Sequence, residues 1–159
     1  MTSSAEQEQQ QSKQIVRQLF EASNQQDIEK IAQLVSITNY SFHFSGMPPM
    51  DWNRHIQLFT AFNSAFSDLH RNIEDMVAEG GGGGKVAVRF TITGTHKGEL
   101  QGIPPTDKKV SFDAMDFLTI IDGKITEEWV TADMMGLMQQ IGPIPGESHA
   151  TGTSRSTRS

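Results

Sequence analysis

The residues best suited to chemistry in this chain are carboxylates near its end. In "KITEEWVTAD", Lys124 to Asp133, a strand-like alternation of Ile125, Glu127, Trp129 and Thr131 finishes on a carboxylate pointing the same way as the tryptophan. Asp133 also stands directly before the apolar run "MMGLMQQIG", where aspartate is a favoured N-cap that satisfies free backbone amides and suits the helix dipole. Hemmed in by Trp129, Phe112 and Met134, the same carboxylate would instead be desolvated and its pKa raised towards the range of a general acid/base. Residue types alone do not separate the two roles.

The dipeptide Asp122-Gly123 decides which residues would accompany Asp133. As the two-residue loop of a primed hairpin it sets Ile121 opposite Lys124, and pairs Asp116 with Trp129, Ala114 with Thr131 and Phe112 with Asp133. One face then carries Phe112, Ala114, Asp116, Leu118, Ile120, Ile125, Glu127, Trp129, Thr131 and Asp133, which is mostly apolar with three carboxylates. The other face carries Met115, Phe117, Ile121 and Val130 among small polar residues. A bulge would slip one strand and exchange part of this list. In this register Asp116 and Asp133 lie roughly 13 Å apart at about 3.3 Å per residue, beyond the separation glycosidases use, so they would act separately.

Other features carry less chemistry. The run "EGGGGGKV" has Glu79 where a phosphate loop needs glycine and Val86 where it needs Ser or Thr, so it reads as a hairpin connection. His43, His55, His70, His96 and His149 show no H-E-x-x-H spacing, and no metal site is expected. His43, between Phe42 and Phe44, is either a hydrogen-bonded structural residue or, facing a cavity, a group that binds a substrate oxygen. Arg89 alternates with Val88 and Phe90, and is either a polar cavity residue or a solvent-facing arginine.

These groups must be held by some framework, and the spacing of apolar residues outlines it. Ile15, Val16, Leu19 and Phe20 repeat at helical spacing, as do Ile28, Ile31, Leu34 and Val35 after Asp27, a plausible N-cap. A third helix follows Asp51 through Trp52, Ile56, Phe59, Phe62 and Phe66. "NYSFHF" is a brief strand. From Leu69 the period changes to two, giving strands in "LHRNIEDMVAE", "KVAVRFTITGTH", "KKVSFDAMDFLTII" and "KITEEWVTAD". Helices followed by a strand meander predict one α+β domain, which suits 159 residues. Residues 1–12 and 143–159 have little to bury and read as disordered tails around a domain at 13–142.

Composition narrows the function classes. The net charge of −6, with no clustering of Lys and Arg, lacks the footprint of a nucleic-acid binder. The absence of cysteine removes disulfides, thiolate metal sites and thiol nucleophiles, and is compatible with a reducing compartment. The polar amino terminus carries no export signal, and no apolar run approaches bilayer length. A soluble cytoplasmic protein without a membrane partner is the expectation.

Two strings carry a family likeness. G-T-H-x-G-x-x-x-G-I-P-P-T at Gly94 to Thr106 and D-G-K-I-x-E-x-W-x-x-x-D at Asp122 to Asp133 resemble the SnoaL-like polyketide cyclases, or ester cyclases, of the nuclear-transport-factor-2-like superfamily. The likeness spans roughly residues 13–142. It implies a cone-shaped, strongly curved, mostly antiparallel sheet packed against N-terminal helices around a pocket. It implies intramolecular aldol cyclisation of a hydrophobic carbonyl compound with no metal or organic cofactor, and maps the acid/base aspartate onto Asp133. The chain departs from the family in "PPTD", in its five glycines, and in Glu128, which stands where a histidine is common.

Under that reading Asp133 exchanges protons with the substrate, while Trp129, Phe59 and Phe62 stack on a flat ring system. His43, Arg89, Asp116, Phe112 and Thr131 complete the expected binding set. The apolar outer face, with Met115, Phe117, Ile121 and Val130, points to a homodimer. Two alternatives stand beside the cyclase: a non-catalytic module that holds an apolar ligand, and an epoxide hydrolase using Asp116, Arg89 and Asp133 around one water.

Overall fold

The change of apolar period near Leu69 separates helices that cover a sheet from the strands that build most of it. A computed structural model describes residues 3–81 and 83–142, so the tail expected at 143–159 lies outside the described residues. The order is α1 (Ser4–Asn24), α2 (Ile28–Leu34), a single 3-10 turn (Ile37–Asn39), β1 (Ser41–Phe44), α3 (Trp52–Ala65), β2 (His70–Ala78), β3 (Lys85–Thr95), β4 (Lys109–Ile121), β5 (Lys124–Ala132) and α4 (Met134–Ile141). The five strands form one open sheet in the order β1-β5-β4-β3-β2. β2 to β5 form an antiparallel meander, and β1 joins β5 in parallel. The fold is α+β, as the element order predicts, with helices packed on one open, mostly antiparallel sheet. Among the described residues no helix is long and apolar enough to cross a membrane.

Aspartates start three of the helices: Asp27, Asp51 and Asp133 accept from the backbone amides of Lys30, Arg54 and Gly136 respectively. Each satisfies an amide that helix geometry leaves free. Val16, Leu19 and Phe20 turn the buried stripe of α1 onto the sheet, where Phe20 meets Phe90 edge-on at 4.8 Å between ring centroids. Asn24 then clamps α1 to β2, accepting from the amide of Arg71 at 2.8 Å and donating to its carbonyl at 3.0 Å. α4 buries Leu137 and Ile141, and Gln140 bonds both backbone groups of Ser111 on β4.

Two expectations are corrected. The stretch read as a disordered tail at 1–12 is helical from Ser4, opened by a capping box between Ser3 and Glu6. Its first turns lie against the β2–β3 connection: a Cβ added at Gly80 would come within 3.0 Å of Gln9 Nε2 and 3.4 Å of Ala5 Cβ. A polar composition hid this helix, because Gln and Glu are good helix formers even where little is buried.

The second correction changes the site. Asp122 and Gly123 do form a two-residue turn with positive φ at both positions, and Ile121 pairs Lys124 and Ile120 pairs Ile125. Thr126 then bulges: Thr119 pairs with Glu127, Leu118 with Glu128, Phe117 with Trp129, Asp116 with Val130 and Met115 with Thr131. One extra residue inverts everything beyond it on β5. Glu128, Val130 and Ala132 turn inward, while Glu127, Trp129 and Thr131 turn outward.

Candidate functional site

The inner face of the sheet and the helices covering it enclose an apolar chamber. Leu19 and Phe20 of α1, Ile31 of α2, Phe42 and Phe44 of β1, Ile56, Phe59 and Phe62 of α3, and Phe90, Ile92 and Phe112 of the sheet line it. Strand alternation brings Phe42 and Phe44 inward together, and helical spacing does the same for Phe59 and Phe62. Four ionisable side chains interrupt this wall: His55, Arg71, Asp116 and Glu128.

Two of these are carboxyl groups on neighbouring strands, both only 4% exposed. Asp116 is pushed well above the usual carboxylate range, first by burial, then by the charge of Glu128 and by a hydrogen bond between the two side chains. Asp116 Oδ1 has no hydrogen-bond partner among the described residues. Adjacent buried carboxyls resist double ionisation, so such a pair holds a proton between its members. Asp116, with burial against it, is the member that keeps the proton.

Glu128 is held in place by its neighbours. The hydroxyl of Tyr40, the chain's only tyrosine, donates to Glu128 Oε2. The same hydroxyl lies 3.0 Å from His55 Nδ1. Since the single phenolic hydrogen goes to the carboxylate, His55 Nδ1 is the donor in the second bond. Burial holds the His55 pKa below its ordinary value, with Glu128 opposing and Arg71 assisting, so the ring is neutral. His55 is clamped between aromatic faces, stacked on Phe42 at 3.7 Å and on Tyr40 at 5.6 Å. Burial and the Glu128 charge likewise raise the Tyr40 pKa, so it remains a hydrogen-bond donor.

Arg71 enters from β2 with its guanidinium 5.3 Å from the centre of the Phe59 ring. Burial lowers its pKa to about 10, opposed by Glu128, which leaves it cationic at neutral pH.

The residues expected from sequence divide between the two faces. Phe59, Phe62, Phe112 and Asp116 line the chamber. Trp129 and His43 are together on the outer face, their rings stacked at 3.6 Å and 2°, with His43 Nε2 bonded to Ser41 and 3.5 Å from Glu127. Thr131 and Arg89 are exposed on that outer side as well. Asp133 is an exposed helix cap whose Oδ1 accepts from the Gly136 amide at 2.9 Å. Asp116, Arg89 and Asp133 therefore do not form the water-holding cluster an epoxide hydrolase would need, since Arg89 and Asp116 point to opposite faces.

Sequence reasoning passed over His55, Arg71, Tyr40 and Glu128. Two of these carried a signal: His55 stands four residues before Phe59 on the apolar stripe of α3, and Arg71 alternates in phase with Ile73 on β2. Glu128 stood out only as a departure from the family pattern, and no residue pattern marked its inward direction, because that depends on the bulge at Thr126.

A sequence profile of the SnoaL-like polyketide cyclases matches residues 13–141. The chain belongs to that family. It is 33% identical over 92 residues to nogalonic acid methyl ester cyclase of Streptomyces nogalater, covering 57% of this chain and 67% of that protein. It is 25% identical over 136 residues to aklanonic acid methyl ester cyclase DnrD of Streptomyces peucetius, covering 80% and 88%. Among solved structures, AclR of Streptomyces galilaeus, provisionally a hydroxylase, superposes with a TM-score of 0.77 at 27% identity over 86% of this chain and 99% of its own. In this SnoaL-like protein Glu128 is the buried partner of Asp116.

Proposed function

We propose that this SnoaL-like protein is a cofactor-independent cyclase that closes a ring in a hydrophobic polyketide methyl ester by intramolecular aldol chemistry, with Asp116 and Glu128 as its acid/base pair. The observation that carries the reading is a buried carboxyl pair, Asp116 and Glu128, set in an otherwise apolar, aromatic chamber. Ionised Glu128 takes the acidic proton from a carbon between two carbonyls. The C–H electron pair becomes an enolate, whose carbon attacks a ketone carbon elsewhere in the same molecule. As the new C–C bond forms, the ketone π pair becomes an alkoxide, and Asp116 protonates it. Protonated Glu128 and ionised Asp116 face each other, so one direct transfer restores the starting state.

Each feature of the chamber serves this sequence. Phe59, Phe62 and Phe112 offer flat apolar surface to a folded polyketide. Exclusion of water strengthens the interaction of the carboxyl groups with developing charge. Tyr40 and His55 fix the Glu128 rotamer through their relay. Asp133 serves as a cap in this reading.

The test is incubation of the purified protein with nogalonic and aklanonic acid methyl esters, followed by chromatography and mass spectrometry. A product of unchanged mass and altered retention, lost in Glu128→Gln, supports the cyclase. Tight binding without conversion would favour the ligand-holding module, and a mass gain of one oxygen would favour hydroxylation.

We further read the protein as a cytoplasmic homodimer. Met115, Phe117 and Trp129 leave an apolar groove on the outer face of the sheet, which a second copy would cover.

A further inference from the structure

The cyclase reading accounts for the two carboxyl groups and leaves the buried cation without a task. Arg71 Nη1 is shut off from solvent and has no hydrogen-bond partner among the described residues. A guanidinium in an apolar wall is costly unless its donors are used. The backbone of Arg71 is fixed by the paired bonds to Asn24, and its planar group lies over Phe59. A preorganised guanidinium with an unpartnered N–H thus belongs to the lining of the chamber that also holds Asp116 and Glu128.

Charge balance says when that donor is needed. At rest the chamber holds Arg71 as a cation, Glu128 as an anion, and neutral Asp116 and His55, so its ionisable groups sum to zero. Proton transfer from substrate carbon to Glu128 neutralises the carboxylate and moves the negative charge onto the substrate. Arg71 is the only cation then available among the described residues lining the chamber.

We propose that Arg71 is the oxyanion-binding residue of the site: its free Nη1–H donates to the enolate oxygen of a β-dicarbonyl substrate and selects substrates able to form one. This proposal rests on the cyclase reading for the origin of the enolate. In the step itself the C–H bond breaks, the proton goes to Glu128, and the electron pair delocalises through carbon to the carbonyl oxygen facing Arg71. The interaction grows as charge develops, which is the condition for a contact to accelerate a reaction.

Binding of a stable enolate tests the proposal without requiring turnover. 4-Hydroxycoumarin is the enol of a cyclic β-keto ester and is ionised at neutral pH; 4-methoxycoumarin has nearly the same shape and no charge. The full-length protein should bind the former at least tenfold more tightly by calorimetry. Arg71→Gln should erase that preference while leaving affinity for the methoxy compound within about twofold, and Arg71→Lys should keep part of it. Glu128→Gln, which removes the competing anion, should tighten binding of the enolate. If Arg71→Gln does not fold, the Arg71→Lys and Glu128→Gln arms still decide. Equal losses for both ligands in an Arg71 variant, no change in either, or a wild-type protein that fails to prefer the enolate would overturn the assignment. A protein that discriminates the enolate through Arg71 yet cyclises no β-keto ester would refute the cyclase reading and leave the oxyanion site standing.

Discussion

Tyr40 and Glu128, from the turn before β1 and from β5, are joined by a buried hydrogen bond across the parallel edge of the sheet. The bond makes the tyrosine a support for the carboxylate. Tyr40→Phe keeps the ring and its packing, and leaves Glu128 and His55 Nδ1 short of a partner. Removing one partner of a buried polar group costs about 1–3 kcal/mol, so a loss of stability in that range is expected in denaturant titration. Turnover should fall as well, and the Tyr40→Phe and Glu128→Gln losses should be clearly non-additive, because the two groups act as one unit.

Glu128→Gln should separate folding from chemistry. The amide has the same shape and still accepts from Tyr40, so the circular dichroism spectrum and the denaturation midpoint should change little. The side chain can no longer take a proton, and the rate should fall by about 10²–10⁴, the usual contribution of a positioned acid/base group. Turnover of the methyl esters within threefold of wild type would exclude Glu128 as the base.

Asp116 provides a thermodynamic test that needs no substrate. Its pKa in the folded protein is raised by burial and by Glu128, whereas the unfolded chain releases that proton near the ordinary value. Between the two values the folded state holds a proton that the unfolded state has lost. Its stabilising contribution is therefore complete below about pH 4 and is lost as the pH rises through the folded-state value, by about 1.4 kcal/mol for each pH unit that separates the two values. Asp116→Asn does not titrate, so its melting temperature should gain on the wild type as the pH rises above about 4 and through the folded-state value of Asp116. A difference independent of pH would mean that Asp116 titrates alike in both states.

How far the sequence discloses this arrangement depends on the interactions involved. Caps and the Asp122-Gly123 turn follow from local geometry, and the fold order follows from apolar period, so Asp27, Asp51, Asp133 and the four long strands are readable directly. The chamber's aromatic wall is readable for the same reason, since Phe59, Phe62 and Phe112 lie on regular faces. Trp129 and Glu128 are misplaced by reading alone because a single unpaired residue, Thr126, decides their direction. No local preference marks that residue as a bulge. The stacking of Trp129 on His43 and the Tyr40 bond to Glu128 come from β1, which meets β5 only in the folded sheet.

Asp133 can be settled by two substitutions. As the cap of α4 it bonds the Gly136 amide, and Asp133→Ala should cost about 0.5–2 kcal/mol of stability, while Asp133→Asn should cost only a few tenths. Neither should lower the turnover of folded protein by more than threefold. A hundredfold loss in Asp133→Asn at unchanged stability would return the acid/base role to this residue and take it from the buried pair.

The outer face of the sheet yields the last expectation. Met115 is 59% exposed, Phe117 48% and Trp129 52%, and they lie side by side on β4 and β5. Val130, expected from sequence to share this face, lines the chamber instead, and Trp129 takes its place, which makes the outer surface more apolar. Large adjoining apolar side chains are rarely left wet on a monomer. In a symmetric dimer the same patch serves both copies, so one changed residue is introduced twice across the interface. Phe117→Glu should therefore place two carboxylates in the apolar contact and give a monomer in sedimentation velocity at micromolar concentration, whereas the wild type should sediment as a dimer. Because Phe117 points away from the chamber, the monomeric variant should still bind ligand there. A wild type that is monomeric at that concentration would reject the outer face as a homodimer interface.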